Sequence, residues 1–327
     1  MRRILAALAI PLLAGVALAG CGSSSSSGSA SPSSGSDSNA SVTASGTFNK
    51  APNVTIPKEK ASSNLAVKTL IQGTGPAITS SDEFVGNYVV YGWDGTSHSL
   101  KGSTYTSTPT LFTNPLLPGL QSAIDGKKVG SRILAVIPPK EGFGTSGNSQ
   151  AGITGTTTLV FVIDVIKSYS GTDAASGTQE TNGGGNLPTV TEPKTAGDAP
   201  TVKMPASSVK PPTSLQVTTL IKGSGTKVVK GDYLVVQYTG YIWRTGAVFD
   251  ASWSRKAPFG LQIGEGQVIP GWDTGLVGQT VGSRVMLTIP PKEGYGTSGN
   301  SQAGIKGTDT LVVVVDILDA YPASASS

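Results

Sequence analysis

The sequence PPKEGYGTSGNSQAGIKGTDTLV occupies residues 290–312, and nearly the same sequence, PPKEGFGTSGNSQAGITGTTTLV, occupies residues 138–160. Only three of the 23 positions differ, at a constant offset of 152. Further upstream, residues 65–75 match residues 215–225 at an offset of 150, so loop lengths differ between the two copies. Two copies of about 105 residues predict two similar globular domains rather than a solenoid of short repeats.

The second copy has the pattern of a β-rich domain. Segments rich in β-branched residues, bounded by Gly, Ser and Pro, predict strands at 215–221, 233–242, 285–289 and 311–318. A short helix is predicted over 272–277, after Pro270, whose missing N–H costs little at a helix N-terminus. Many strands around one short helix indicate an α+β domain with an antiparallel sheet.

The N-terminus resembles an export signal. Met1-Arg2-Arg3 is followed by an apolar run, Ile4–Leu18, which is shorter than the about 20 residues of a membrane span and predicts a signal peptide over residues 1–20. Leu18-Ala19-Gly20-Cys21 resembles the bacterial lipobox, whose cleavage would leave Cys21 N-terminal and lipid-modified. An ordinary signal peptide with a chance cysteine is the alternative. The lipobox predicts an extracytoplasmic protein that is lipid-anchored to the bacterial cell membrane.

The amino-acid composition predicts which parts of the chain after the signal peptide are domains and which are linkers. The Ser- and Gly-rich segment 21–60 predicts a lipid-anchored disordered tether, and the Gly- and Pro-rich segment 170–212 predicts a disordered linker that leaves the relative orientation of the domains variable. The two domains are therefore predicted at 61–169 and 213–321, with a tail at 322–327. We expect a monomer.

The rare residues exclude several kinds of site. Cys21 and His98 are the only cysteine and histidine, so neither a Cys/His zinc site nor an intrachain disulfide can be built. A Ser-His-Asp triad would need His98, which lies in a polar loop where a solvated side chain is expected. The formal net charge of +4 comes without a basic cluster, so nucleic-acid binding is not expected. The sequence also shows no phosphate-binding loop, and no metal or other cofactor is expected.

The second copy resembles the FKBP family of peptidyl-prolyl isomerases over about 105 residues, from Ser214 to Asp319. The motifs follow in family order, and they are VQYTG (236–240), VFDAS (248–252), PF (258–259), GQVIPGW (266–272), GYG (294–296) and TLV (310–312). The resemblance implies two FKBP-like domains, each an antiparallel β-sheet of five or six strands curled around one short α-helix.

The resemblance also implies a set of pocket residues in the second domain: Tyr238, Phe249, Asp250, Phe259, Val268, Ile269, Trp272 and Tyr295. Trp272 would form the pocket floor, the Ile269 N–H and the Tyr295 hydroxyl would donate to substrate, and Asp250 would pair with Tyr238. A further aromatic of the family pocket falls on Val313, an aliphatic residue here. Alternatively, Tyr238 and Trp272 serve the core alone.

The implied activity is peptidyl-prolyl cis-trans isomerisation that assists the folding of exported proteins. Its partners would be proline-containing segments of unfolded or exported proteins and macrolide-type FKBP ligands, with membrane attachment through Cys21. The residue inventory fits this chemistry, because rotation about an X–Pro bond breaks no covalent bond and needs no metal or nucleophile. The alternatives are a non-catalytic peptide-binding or chaperone-like envelope lipoprotein and an envelope scaffold.

The first copy keeps the framework but changes the predicted pocket. Tyr88 matches Tyr238, whereas the sequence alignment places Leu100-Lys101 at Phe249-Asp250. It also places Thr110 at Phe259, Leu120 at Trp272, Phe143 at Tyr295 and Phe161 at Val313. These changes predict little or no isomerase activity in the first domain. It would then be a shallow groove that binds unfolded chains or a partner, or a spacer.

Overall fold

The computed structural model describes residues 38–323. These residues form two β-rich domains in which every strand pairing is antiparallel. The predicted signal peptide, Cys21 and the first part of the predicted tether lie outside the described residues. None of the helices between residues 38 and 323 has the length and apolar character that crossing a membrane requires.

The first domain has a sheet curled over one short helix. Its elements are β1 (Thr43–Ser45), β2 (Asn53–Thr55), β3 (Ala66–Ile71), β4 (Glu83–Asp94), β5 (Ser97–Ser103), β6 (Thr110–Phe112), α1 (Pro118–Ile124), β7 (Arg132–Ile137) and β8 (Thr158–Tyr169). The sheet order is β3-β7-β8-β4-β5, with β6 also paired to β4, while β1 and β2 form a separate hairpin. Leu120 and Ile124 of α1 are fully buried against this sheet.

The second domain repeats this arrangement after three short strands. Its elements are β9 (Gly177–Gln179), β10 (Thr189–Thr191), β11 (Thr201–Lys203), β12 (Gln216–Gly223), β13 (Tyr233–Ile242), β14 (Val248–Ala251), α2 (Ser252–Arg255), β15 (Phe259–Gln262), α3 (Pro270–Leu276), β16 (Arg284–Ile289) and β17 (Leu311–Tyr321). The sheet order is β14-β13-β17-β16-β12-β9, with β15 also paired to β13. The predicted α+β fold class, with an antiparallel sheet around a short helix in each domain, is confirmed.

Both faces of the second sheet are covered, which explains its continuous apolar runs. Leu287 and Ile289 of β16 belong to the core beneath α3, whereas Met286 packs on the opposite face with Val190 of β10. Successive strand residues point to opposite faces, so a strand buried on both sides needs apolar residues at every position. The run of valines from 312 to 315 meets the same requirement.

The prediction of disorder at 38–60 and 170–212 is wrong. Residues 43–55 form the β1–β2 hairpin, and residues 189–203 form the β10–β11 hairpin, each packed on the back of its sheet. Val42 and Val190 are at most 1% exposed in these packings. Composition predicted disorder because Gly, Pro, Ser and Thr dominate, but a few alternating apolar residues are enough when an uncovered sheet face lies beside them.

These hairpins extend the internal repeat. Residues 41–57 read SVTASGTFNKAPNVTIP and residues 189–205 read TVTEPKTAGDAPTVKMP, which agree at seven of 17 positions at an offset of 148. Asn49 and Gly197 occupy the same place in the turn and both have positive φ, at 62° and 88°. Each repeat therefore consists of a covering hairpin followed by a sheet-and-helix domain.

A buried ion pair lies beneath each hairpin. Arg132 is fully buried and paired with Asp164, and Arg284 is paired in the same way with Asp316. The Asn49 N–H donates to Asp164 at 2.7 Å in the first domain, while Glu192 contacts Arg284 in the second. Burying a charge is costly unless it is paired and hydrogen-bonded, so the hairpins complete these sites.

The two domains contact each other through one side of their sheets, contrary to the predicted variable orientation. An apolar cluster joins Val85, Leu111 and Tyr169 of the first domain with Val235 and Leu318 of the second. The backbone N–H of Leu111 donates a hydrogen bond to the Tyr233 hydroxyl oxygen across this contact, at 3.1 Å. These contacts place β15 beside β6.

Candidate active site

A cavity of about 140 Å³ lies between the sheet and α3 of the second domain. All eight predicted pocket residues line it, and Val313 is the ninth lining residue: Tyr238, Phe249, Asp250, Phe259, Val268, Ile269, Trp272, Tyr295 and Val313. The structure therefore brings together residues from β13, β14, β15, α3, β17 and two loops. The catalytic roles of these residues stay predictions.

Tyr238 is the centre of the aromatic wall. Its ring packs edge-on against Trp272, with centroids 5.3 Å apart, and against Phe259, with centroids 5.7 Å apart. Phe249 folds across Gly240, where a Cβ would lie only 2.4 Å from the Phe249 ring. The glycine at position 240 therefore allows Phe249 to reach the cavity, and any larger residue would displace the ring.

Trp272 lies near the start of α3, where the helix approaches β16 closely. Pro270 begins the helix, two residues earlier than the sequence predicts. A Cβ on Gly271 would lie 2.6 Å from the Ile289 side chain, and one on Gly275 would lie 2.6 Å from Leu287. Because these two glycines let the helix lie close to the sheet, Trp272 is only 6% exposed and lines the cavity, where the resemblance predicts its floor.

Asp273 organises the loop before α3, and sequence reasoning missed it. Its carboxylate accepts hydrogen bonds from the N–H groups of Gly264 and Gly266 at 2.7 and 2.8 Å. This loop delivers Val268 and Ile269 to the rim of the cavity. The sequence signal that could have identified Asp273 is an acidic residue in the first turn of a helix that follows a Gly-rich loop.

A charged network forms the polar wall of the cavity. Asp250 accepts a hydrogen bond from the Tyr238 hydroxyl, as the resemblance implies, and forms an ion pair with Arg255. The Arg255 guanidinium also donates to Tyr238 Oη at 3.0 Å. Sequence reasoning missed Arg255, although a carboxylate in a partly buried site calls for a cation nearby.

This network fixes the protonation states of its members near neutral pH. Burial favours the neutral acid, but hydrogen bonds from Tyr238 and Arg255 outweigh it and hold the pKa of Asp250 below its usual value. Burial, with the hydrogen bond to Asp250, raises the pKa of Tyr238. The wall therefore combines an ionised carboxylate with a protonated phenol.

Tyr295 reaches the cavity from the opposite side. It directly precedes a short 3₁₀ helix (Gly296–Ser298), and Gly296 adopts a φ of +62°, which favours glycine. The side chain is half-buried and packs against the core cluster that contains Tyr238 and Trp272. Tyr295 therefore lines the cavity, as the resemblance implies.

Strand register in the first domain corrects one alignment. Gly102 faces Val90 across β5 and β4, as Asp250 faces Gly240, so Gly102 and not Lys101 takes the position of Asp250. Lys101 takes the place of Phe249. The sequence alignment was one residue off because both strands carry a bulge beside this position, which only the strand pairing locates.

The rest of the first site is filled differently. Thr110 does lie at the register of Phe259. The Tyr88 ring packs against Phe112 and Phe161, with centroids 5.7 and 6.2 Å away, and the Lys101 ammonium donates to the Gly152 carbonyl at 2.7 Å. This hydrogen bond ties β5 to the loop after Phe143. The first domain thus places a lysine and a glycine where the second has an aromatic ring and a carboxylate.

An antiparallel sheet curled around a short helix, with an aromatic cavity between them, defines the class of both domains. The family model for the FKBP-type peptidyl-prolyl cis-trans isomerase matches residues 78–166 and 224–318, more than half of the chain. The chain therefore belongs to the FKBP family of peptidyl-prolyl cis-trans isomerases. The predicted family and enzyme class are confirmed.

The chain is similar to several proteins of known sequence or structure. The FK506-binding protein of Streptomyces anulatus is 39% identical over 109 residues, which are 33% of this chain and 88% of that protein. Human peptidyl-prolyl cis-trans isomerase FKBP9 is 27% identical over 248 residues, 74% of this chain and 36% of that protein. The crystal structure of the three FKBP domains of wheat FKBP73 is 22% identical and covers 78% of this chain and 94% of that one, with a TM-score of 0.31.

Proposed function

We propose that the second domain carries the isomerase activity of this chain and that the first domain contributes little or none. The observation that supports this assignment is the polar wall, in which Asp250 and Tyr238 line the aromatic cavity and Arg255 binds both of them. The first domain has Gly102 in place of the carboxylate and Leu120 in place of the floor tryptophan.

The cavity suits the chemistry of amide rotation. The barrier of about 18–20 kcal/mol arises from amide resonance, and resonance is lost in the twisted transition state. An apolar cavity that holds the proline ring disfavours the charge-separated planar amide relative to the twisted one, which is differential binding of the transition state. Donors at the rim, namely the Ile269 N–H and the Tyr295 hydroxyl, would fix the flanking carbonyls of the peptide.

The assignment is tested with the full chain and a short proline peptide whose cis-to-trans isomerisation is followed after dilution. A Tyr238→Ala, Asp250→Ala double variant removes the polar wall, and Tyr88→Ala is the matched control in the first domain. We expect the double variant to lose most of the rate and Tyr88→Ala to keep it. Equal losses of isomerisation rate in the two variants would indicate that both domains are active. A wild-type chain without catalysis would favour the peptide-binding alternative.

We further propose that the protein acts outside the cytoplasm, anchored through a lipid on Cys21, and assists the folding of exported proteins. The support is the signal-like start of the sequence and the position of its single cysteine, both outside the described residues. Labelling cells with a fatty-acid analogue tests it. We expect label in the wild type and none in Cys21→Ala, with the variant released from the membrane fraction. If the wild-type protein incorporated no fatty-acid label, the proposal would be contradicted.

We make two smaller proposals, one about a ligand of this cavity and one about the oligomeric state. A macrolide-type FKBP ligand would occupy the space between Trp272, Phe259 and Tyr238, and should compete with the peptide in the assay above. The monomeric state would be seen as a single species of 33.1 kDa or slightly less by light scattering. A ligand that leaves the rate unchanged, or a dimeric mass, would reject the respective proposal.

A further inference from the structure

The buried amide of Gln237 connects the interdomain segment with the active-site strands. Gln237 precedes Tyr238 on β13, so its side chain points away from the cavity, and it is fully buried. Its Nε2 donates to the carbonyl of Gly171 at 3.1 Å, and its Oε1 accepts from the Ser252 hydroxyl. The Ser252 oxygen in turn accepts from the Tyr238 N–H at 2.7 Å.

These hydrogen bonds, here called the relay, connect Gly171 through Gln237 and Ser252 to Tyr238. The relay therefore contacts the strand that carries Tyr238 and the helix that carries Arg255. Tyr238 lies at one end, and Ser252 begins α2, the short helix that ends at Arg255 and directly follows the Asp250 strand. The relay therefore cross-links β13 to the β14–α2 junction behind the cavity. It fixes the spacing between the Tyr238 hydroxyl and the two charged groups that bind it.

The interdomain segment also packs directly on α2. A Cβ on Gly171 would lie 2.2 Å from the carbonyl oxygen of Lys256, the residue that caps α2. A few residues later, the N–H of Ala175 donates to the buried Asp316 at 2.9 Å. The segment is thus held at Gly171, where its carbonyl meets Gln237, and again four residues later at Ala175.

The first domain contains the same relay beside a pocket without a carboxylate. Asn87 Nδ2 donates to Asn49 Oδ1 at 2.7 Å, and the Thr104 hydroxyl donates to Asn87 Oδ1 at 2.9 Å. The Tyr88 N–H donates to the Thr104 oxygen at 2.9 Å. The chain therefore offers a matched control, in which the same kind of buried amide supports a domain that is not expected to catalyse.

We propose that Gln237 is a positioning residue for the isomerase reaction, and that the segment 170–205 is part of the catalytic unit rather than a spacer. This inference rests on the proposed function, because it assigns the reaction to the second cavity. Gln237 would act through Ser252 on the relative placement of Tyr238, Asp250 and Arg255, without touching the substrate.

The test compares full-length Gln237→Ala with Asn87→Ala. Each substitution removes a buried side-chain amide and its hydrogen bonds, so both variants should have a lower melting temperature than the wild type. We expect Gln237→Ala to lower kcat by about tenfold with KM within about twofold, since the polar wall that Gln237 positions would act on the transition state. We expect Asn87→Ala to leave both values unchanged. Loss of stability in Gln237→Ala with an unchanged kcat would overturn the proposal.

The Ser252 hydroxyl allows a test by conservative substitution. Ser252→Ala removes it, whereas Ser252→Thr keeps it, and Thr104 fills this position in the first domain. We expect Ser252→Ala to resemble Gln237→Ala and Ser252→Thr to stay within about threefold of the wild-type kcat. Equal rates for the alanine and threonine variants would contradict a positioning role.

A second variant, Gly171→Ala, provides a test if Gln237→Ala does not fold. Gly171→Ala shifts the segment away from Lys256 and moves the carbonyl that Gln237 binds, without altering the core. A folded Gly171→Ala protein with wild-type kcat would overturn the proposal, and a lowered kcat would support it. If the Tyr238→Ala, Asp250→Ala double variant keeps full activity instead, the proposed function itself has failed.

Discussion

The two domains share their strands, their helix and a 23-residue loop sequence that differs at three positions, yet only the second has a charged wall beside its central tyrosine. In the first domain Tyr88 packs against Phe112 and Phe161, and Lys101 binds a backbone carbonyl. The fold therefore depends on backbone features that both copies keep. The site depends on a few side chains, which can change without loss of the fold.

The largest difference in stability should come from the buried ion pairs. Asp164→Asn leaves Arg132 without a carboxylate and should lower the free energy of unfolding by about 3–5 kcal/mol. Asp316→Asn should cost about 1–2 kcal/mol less, because Glu192 still contacts Arg284. Urea unfolding of the full-length variants measures both values. Equal losses would show that Glu192 does not compensate.

The next effect concerns the cavity floor. Trp272→Leu gives the second domain the residue that Leu120 provides in the first. If the indole supplies about 2 kcal/mol of apolar contact to the twisted peptide, the isomerisation rate should fall about 30-fold. Trp253→Leu is the control, since Trp253 lies in α2 outside the cavity lining. A similar loss in both variants would reject a specific role for the floor.

A pH effect on stability between pH 4.5 and 7 is expected from Glu83 of the first domain. Glu83 is 3% exposed, and burial raises its pKa from 4.5 to about 7, although the Asn114 N–H bonds the carboxylate and opposes the rise. The folded state therefore holds this proton more tightly than the unfolded state, so stability falls as pH rises from 4.5 towards 7.

Glu83→Gln should remove this dependence and stabilise the chain at pH 8 by on the order of 1–3 kcal/mol. Urea unfolding of the wild type and the variant across this pH range measures the effect. Tyr233 holds the equivalent position in the second domain, so Tyr233→Phe is a control that should leave the pH profile unchanged. A wild-type profile that is flat between pH 4.5 and 7 would contradict the raised pKa.

The smallest expected effect tests the contact between the domains. Tyr233→Phe removes the phenol oxygen that accepts from the Leu111 N–H and should lower the free energy of unfolding by about 0.5–1.5 kcal/mol. Tyr241→Phe, on the same strand, is the comparison, because no hydrogen bond of its hydroxyl is seen within residues 38–323. Equal urea midpoints for the two variants would show that this interdomain hydrogen bond contributes nothing.

The pocket was predictable where its residues lie in contiguous motifs. Phe249-Asp250 and Val268-Ile269 stand in short runs whose order and spacing resemble the family, and the structure brings them into one cavity. Arg255 and Asp273 were missed, because each acts through partners several residues away, which lie in strands for Arg255 and in a loop for Asp273. The one-residue error at Lys101 has the same origin, since a bulge shifts the register without leaving a sequence signature.

The two-domain organisation, the α+β class and the aromatic residues of the second pocket could be predicted from the sequence, because repeats, β-branched runs and motif spacing are local properties. The covering of the sheets by the hairpins, the contact between Gly171 and Gln237 and the contact between the domains became visible only in the folded chain. Such contacts join segments tens of residues apart. Their stability depends on which surface each segment buries, and composition alone does not record that surface.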